Sequence, residues 1–329
     1  LLGLFSLMTW IERRTLAFMQ YRLGPNRTGP LGILQPIADG IKLFFKEEVM
    51  PAAANKWGFL AAPVVAVSTS LLAVAVLPYG PPFTLPRLDF LPAWLWPEWL
   101  KGRPMQVQIA SIDVGLLFIF AVAALGVYGI VLAGWSANNK YTLLGGLRSS
   151  AQMISYELAL GLAVIAVLVL SGTLRPTAIV IQQAESWWNI VYLPLGFLLL
   201  LISGFAETNR LPFDLPEAEP ELVAGYHTEY SGMRFALYFL GEYANLITMS
   251  AMVTVLFLGG WLVPWPSPLW LSPLWFCIKV FVLVFFAIWT RGTLPRFRFD
   301  QLMAIGWKFL LPLALFNVFA TGLFLALKG

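Results

Sequence analysis

The sequence predicts an all-α, polytopic membrane protein of about eight transmembrane helices, plus an amphipathic helix on the cytoplasmic-side surface. Three observations predict it. Of 329 residues, 59% are hydrophobic and only 12% are charged, against roughly a quarter charged in an ordinary soluble domain. The apolar excess comes in separate runs, each near the roughly 20 residues that cross a bilayer as a helix. The basic residues gather on one side of those runs.

In order, the spans fall at about 1–19, 58–79, 112–134, 151–172, 188–206, 234–259, 272–290 and 302–327. The chain opens Leu1-Leu2-Gly3, so the first span is read as already under way at residue 1 and not as a secretory leader. The links 80–107 and 260–271 are rich in Pro and Trp (Pro264, Trp265, Pro266, Trp270), which suits interface loops where an indole is half wet. Over 31–48, Ile33, Leu34, Ile37, Ile41, Phe44 and Phe45 recur at helical steps opposite Gln35, Asp39, Lys42 and Lys46. This stretch is too short and too charged to cross, so it lies along the surface. It is either a peripheral anchor or a wall between membrane and aqueous domain.

With the end of the first span placed inside, fifteen Lys and Arg fall in cytoplasmic links, against five (Arg87, Lys101, Arg103, Arg175, Lys328) on the other side. That asymmetry puts both termini outside. Cys277 is the only cysteine and His227 the only histidine. One of each excludes a thiolate-held iron–sulfur cluster, a bis-histidine haem and a three-histidine zinc site on this chain.

Carboxylates stand where a membrane disfavours them. Glu12 is near the inner end of the first span, Glu157 roughly 10 Å into the fourth, Glu207 at the close of the fifth, and Glu242 about two turns into the sixth. A charge at mid-membrane costs on the order of 2.5–3.5 kcal/mol on insertion scales. Either each is a buried Glu satisfied by Arg, Ser or Asn, or together they mark a proton path. The link 205–232 adds Asp214, Glu217, Glu219, Glu221 and Glu229 to Glu207, against Arg210 alone. Pro212, Pro216 and Pro220 bar a continuous helix there. The interleaved Leu211, Phe213, Leu215, Leu222, Val223 and Tyr226 imply a loop that folds back into the protein and lines a polar cavity. Crowded carboxylates disfavour one another's ionised forms, which moves some of these loop groups toward neutrality.

Lys279 lies about two turns from the outer end of the seventh span, on the same side as Asp113. A pair between them or snorkelling outward accounts for it, with a relay role as the alternative. Arg291, Arg296 and Arg298, beside Phe297 and Phe299, suit lipid head groups. With Arg13, Arg14, Arg22 and Arg27 they suit an acidic partner domain equally well.

Five segments are more specific: ERR at 12–14 followed by GPNRTGP at 24–30, LQPIADGIKLFFKEE at 34–48, NNKYTLLGGLRSSAQMISYE at 138–157, AETNRLPFDLPEAEPELVAGYHTEYSGMRFAL at 206–237, and RGTLPRFRFDQLM at 291–303. They resemble the H subunit of respiratory complex I and its mitochondrial counterpart, nearly end to end. The resemblance implies a component of a proton-translocating NADH:quinone oxidoreductase, a respiratory-chain translocase of the cell inner membrane. Members of that family join the redox arm to the proton-pumping arm. With partner subunits they form the chamber in which quinone from the lipid meets the last iron–sulfur cluster.

On that resemblance the chain carries no catalytic residue, metal or bound cofactor. Quinone is the substrate, FMN and the iron–sulfur clusters sit on partner subunits, membrane lipid surrounds it, and no nucleic acid is involved. The family's quinone chamber maps to Arg13, Arg14, Asp39, Met233, Arg234, Leu237 and Arg291. Its proton path maps to Glu157, Glu207, Asp214, Glu217, Glu219, Glu221, Glu229 and Glu242, and contacts to partner subunits to Arg22, Arg27, Arg296 and Arg298. One departure stands out: where some members carry a Glu in the third helix, this chain has Ala124. The equivalent component of a membrane-bound hydrogenase, or of a ferredoxin- or deazaflavin-linked complex, shares the eight-helix plan and is the alternative. A stand-alone cation transporter would show paired internal repeats with broken helices, and the two halves of this sequence show none.

Overall fold

A computed structural model of the chain describes residues 2–84, 104–215, 222–266 and 268–328. Helices occupy all eight expected span positions. They are α1 (Leu2–Met19), α3 (Lys56–Ala75), α4 (Gly115–Ser136), α5 (Lys140–Ser171), α8 (Pro194–Glu207), α9 (Gly232–Phe257), α10 (Ser272–Thr293) and a rod made of α11 (Phe299–Ala304) and α12 (Leu311–Lys328). Between them lie α2 (Gln35–Phe45), α6 (Pro176–Glu185) and α7 (Asn189–Tyr192). The rod is continuous through a π-helical turn, Ile305–Leu310.

Six of these are long and apolar enough to cross a membrane: α3, α4, α5, α9, α10 with its leading turn, and the α11–α12 rod. α1 has comparable length but carries Glu12, Arg13 and Arg14, and α8 is apolar but only 14 residues long. The protein is an all-α, multi-pass membrane protein. Among the described residues the strands are β1 (Gly80–Thr84) and β2 (Pro104–Val107), an antiparallel pair with Gly80 opposite Val107.

Local chemistry sets the helix starts. The Asn55 side chain accepts from the Gly58 N–H at 3.2 Å and the Asn139 side chain from the Tyr141 N–H at 3.0 Å, capping α3 and α5. Pro176 and Pro194 occupy the first turns of α6 and α8, where a missing N–H costs nothing.

Three boundaries differ from the sequence expectation. α5 begins at Lys140 and not at 151, because Thr142, Gly145, Gly146 and Ser149 are buried against protein and not lipid. The surface helix is shorter than 31–48: Leu31 and Gly32 have φ of 55° and 76°, so regular helix starts only at Gln35. The link ahead of the fifth span holds α6, whose Ile179 and Val180 are fully buried.

Lys279 is also placed differently. It does not pair with Asp113. Asp113 binds Arg175, while the Lys279 ammonium donates to the carbonyls of Leu258, Gly260 and Leu262. The same ammonium lies 4.3 Å from the Trp188 ring. It caps the end of α9, where helix carbonyls carry partial negative charge.

α9 is the axis of the bundle, with 72% of its apolar window buried, and the α11–α12 rod is its outside, with 22%. The main core runs through Phe5, Tyr156, Leu200, Leu256 and Phe257. A second cluster, with Phe59, Met153, Tyr226, Tyr230 and Tyr238, lies beneath the link between α8 and α9. There the Phe59 and Tyr230 rings stack at 4.1 Å.

Candidate functional site

α1, α2, α9 and α10 meet at one end of the bundle, where their charged groups pair. Arg13 donates to Asp39 at 2.7 Å, and Arg234 pairs with Glu48 at 3.0 Å. Arg14 donates to the Leu31 carbonyl, its guanidinium 5.4 Å and 5.3 Å from the rings of Trp10 and Phe18. Glu12 is buried, and its two oxygens are claimed separately: one by Arg210 at 2.6 Å, the other by Arg291. Arg210 also covers the Tyr243 ring at 4.1 Å. A buried carboxylate persists only when paired in this way.

The link after α8 runs inward from this clamp. Asp214 is 4% exposed and binds Arg296 at 2.8 Å. Gln152 of α5 donates at 2.7 Å to the carbonyls of both Ala206 and Phe213. Phe213, Leu215, Leu222, Tyr226 and His227 are buried, while Val223 is exposed. Glu229 accepts from Asn139 at 2.7 Å, and the Tyr226 hydroxyl donates to Glu242 at 3.3 Å. His227 is surrounded by the rings of Tyr226, Phe235 and Phe239. Burial pushes its pKa down to about 4, so the imidazole is neutral near pH 7.

Two small cavities open where this link meets α3, α4 and α9. The first, about 50 Å³, is lined by Glu207, Glu242, Tyr226, Tyr238 and Asn209 among others. The second, about 40 Å³, extends toward Ala73, Ile119 and Met252 and shares Glu207, Thr208, Asn245, Thr69 and Ala123 with the first. Glu157 on α5 is close enough to Glu207 for their charges to repel.

Residues 1–322 match the family model described as NADH dehydrogenase. The chain belongs to the NADH dehydrogenase family. Its relatives include an H subunit of the NADH-quinone oxidoreductase of Geobacter metallireducens, 50% identical over 99% of this chain and 93% of the relative. An H subunit of the Koribacter versatilis NADH-quinone oxidoreductase is 48% identical over 100% of this chain and 94% of its own length. The H subunit of the Thermomicrobium roseum NADH-quinone oxidoreductase is 49% identical over 98% and 92%.

Within this NADH dehydrogenase family chain, the residues assigned from sequence fall into three groups. Arg13, Arg14, Asp39, Met233, Arg234, Leu237 and Arg291 come from the four elements that converge at one end. Glu207 and Glu242 share one cavity, Glu157 neighbours Glu207, and Asp214 and Glu229 are each held by a partner. Glu217, Glu219 and Glu221 lie outside the described residues. Arg22, Arg27 and Arg298 are exposed, whereas Arg296, assigned to the same partner-contacting set, turns inward to Asp214. Sequence reasoning gave no role to Tyr226 or Asn245. Asn245 follows Glu242 by three positions on a helix, a spacing that puts both on one face.

Proposed function

We propose that this chain is the H subunit of a proton-translocating NADH-quinone oxidoreductase, a component of the enzyme that shapes the quinone-access chamber and links quinone reduction to proton movement. The observation that carries the reading is the cavity shared by Glu207 and Glu242, beside a link whose Asp214 is buried and which two arginines tie to the α1–α10 end. The names of near-full-length relatives favour it over the hydrogenase alternative.

In this reading quinone enters from the lipid beside Arg13, Arg14, Asp39, Met233, Leu237 and Arg291, and Arg234 fixes the start of α9 against Glu48. Electrons arrive from FMN and iron–sulfur clusters on partner subunits, which dock on the basic face through Arg22, Arg27 and Arg298. Reduction changes the charge near the Glu12 clamp, and the acidic link, including Glu217, Glu219 and Glu221, conveys that change to Glu157, Glu207 and Glu242. Moving one proton against about 100 mV requires roughly 2.3 kcal/mol. The chain sits in the cell inner membrane with its N-terminus on the outer side.

The test is Glu157→Gln in the assembled complex, with NADH-driven quinone reduction and the resulting proton gradient followed together. Loss of both with assembly intact is the expected result. Normal values for both, repeated in Glu242→Gln, would overturn the proton-path assignment.

A further inference from the structure

We infer that Asn245 is a positioning residue for a water-mediated proton exchange between Glu207 and Glu242. The inference rests on the proton-path reading above and adds a residue that reading does not contain. Both carboxylates line the first cavity, and Asn245 lines it too while also bordering the second. A site needs about 10–15 Å³ to hold one ordered water, and the cavities of about 50 and 40 Å³ exceed that, so both have room for water.

The wall chemistry calls for those waters. Asn209 Oδ1, in the wall of the first cavity, is buried without a protein partner. Buried polar atoms left unpaired cost about 1–3 kcal/mol each, and a cavity water removes that cost. The serine and threonine hydroxyls nearby cannot donate to such waters, because their protons are already committed. Thr69 and Ser70 donate to carbonyls of Val65 and Ala66, and Thr248 donates to the Ala244 carbonyl. They offer lone pairs only.

Asn245 differs from them. Its amide presents two N–H donors and a carbonyl acceptor, and it stands where the two cavities join. It can therefore hold one water by its oxygen while donating to the next, which fixes the direction of a short water file. The step balances. An O–H of one protonated carboxyl breaks as its proton passes to a water, each water passes on a proton of its own, and an O–H forms on the other carboxylate. No electron moves and no water is consumed. The second cavity, walled by Ala73, Ile119, Phe120 and Met252, has no proton acceptor at its far end, so it stores water and does not continue the path.

The test uses the assembled complex in inverted membrane vesicles and reads protons moved per NADH oxidised, in H2O and D2O. Asn245→Leu keeps the side-chain volume but cannot hold water, so the ratio falls roughly tenfold, a modest share of what a positioned proton transfer contributes. Asn245→Ser is smaller, yet it restores most of the ratio by admitting another water. A packing role gives the opposite order, with Leu close to wild type and Ser worse. That order, or equal loss in both variants, overturns the inference. If Asn245→Leu fails to assemble, Ala123→Val decides, because it takes up space shared by both cavities while leaving the amide in place. A fall in the ratio then supports the relay and a normal ratio overturns it. Glu242→Gln separates the two levels: if it too pumps normally, the proton-path reading itself fails. If it abolishes pumping while Asn245→Leu does not, only the relay fails.

Discussion

Glu12 and Arg210 meet at 2.6 Å inside the bundle, although 198 positions separate them in the chain. Arg291 takes the other Glu12 oxygen, so a single carboxylate joins α1, the link after α8 and α10. Removing one member of a buried pair leaves an uncompensated charge, at about 3–5 kcal/mol. Glu12→Gln strands two arginines at once and should lower the midpoint of thermal inactivation of the complex more than any single change in the clamp. Arg291→Gln should cost less, since Arg291 keeps 30% of its side chain exposed and solvent screens what remains. Equal midpoints for wild type and Glu12→Gln would show that the clamp does not hold these elements together.

Lys279 offers a separate test. Its ammonium satisfies three backbone carbonyls beyond α9. Lys279→Met should therefore destabilise the complex by about 1–3 kcal/mol, the cost of buried acceptors left open, while protons moved per NADH stay unchanged. A collapse of that ratio at unaltered thermal stability would instead make Lys279 part of a relay.

What the sequence disclosed follows from the range of each interaction. Spans are legible because apolar length is a local property: α4 and α10 need no partner to be recognised. The first turns of α5, from Lys140 to Ser150, were not legible, because Thr142 and Ser149 look like loop residues until Gly134 and the link after α8 are seen to cover their buried face. Ion pairs over long separations leave no local mark. Arg296 has the composition of an outward basic patch, and only the fold brings Asp214, 82 positions away, to its guanidinium. Lys279 misled for the same reason, since its carbonyl partners belong to a different helix end. The carboxylates were legible as a set because charge within an apolar run is conspicuous. The waters that would join them depend on Asn245 and on small residues such as Ala123, which look ordinary in sequence.

His227 gives the acidic link a defined pH response. Its ordinary value is 6.5, and in the folded protein burial lowers it to about 4. Between those values the unfolded chain binds a proton that the folded chain refuses, so stability is complete above pH 6.5 and falls as pH drops toward 4. At 1.36 kcal/mol per unit the loss is about 3 kcal/mol. The link also carries carboxylates, so the informative quantity is the difference between wild type and His227→Asn. Limited proteolysis of the link, followed from pH 7 to pH 4, should show a shallower acid dependence in the variant. Identical profiles would mean that protonation of His227 does not loosen the link.

Gly145 places the same link against α5. A Cβ there would lie 2.7 Å from Gly225 Cα and 2.8 Å from the Tyr226 nitrogen. Those are backbone atoms, so no rotamer change relieves the clash, and the turn Gly225–His227 must lift away from the helix. Overpacking of this kind costs about 1–3 kcal/mol. Lifting the turn also draws the Tyr226 hydroxyl from Glu242 and the His227 ring from its aromatic surround. Gly145→Ala should therefore raise protease sensitivity near residues 222–231 and reduce proton pumping together. Gly161, on the same helix, faces open space where an added methyl meets nothing within 4 Å. Gly161→Ala should leave both readouts unchanged and gains helix propensity besides. If both alanine variants behave alike, the contact between Gly145 and Gly225 does not position the link, and the approach of Tyr226 to Glu242 must be set by the second core cluster alone.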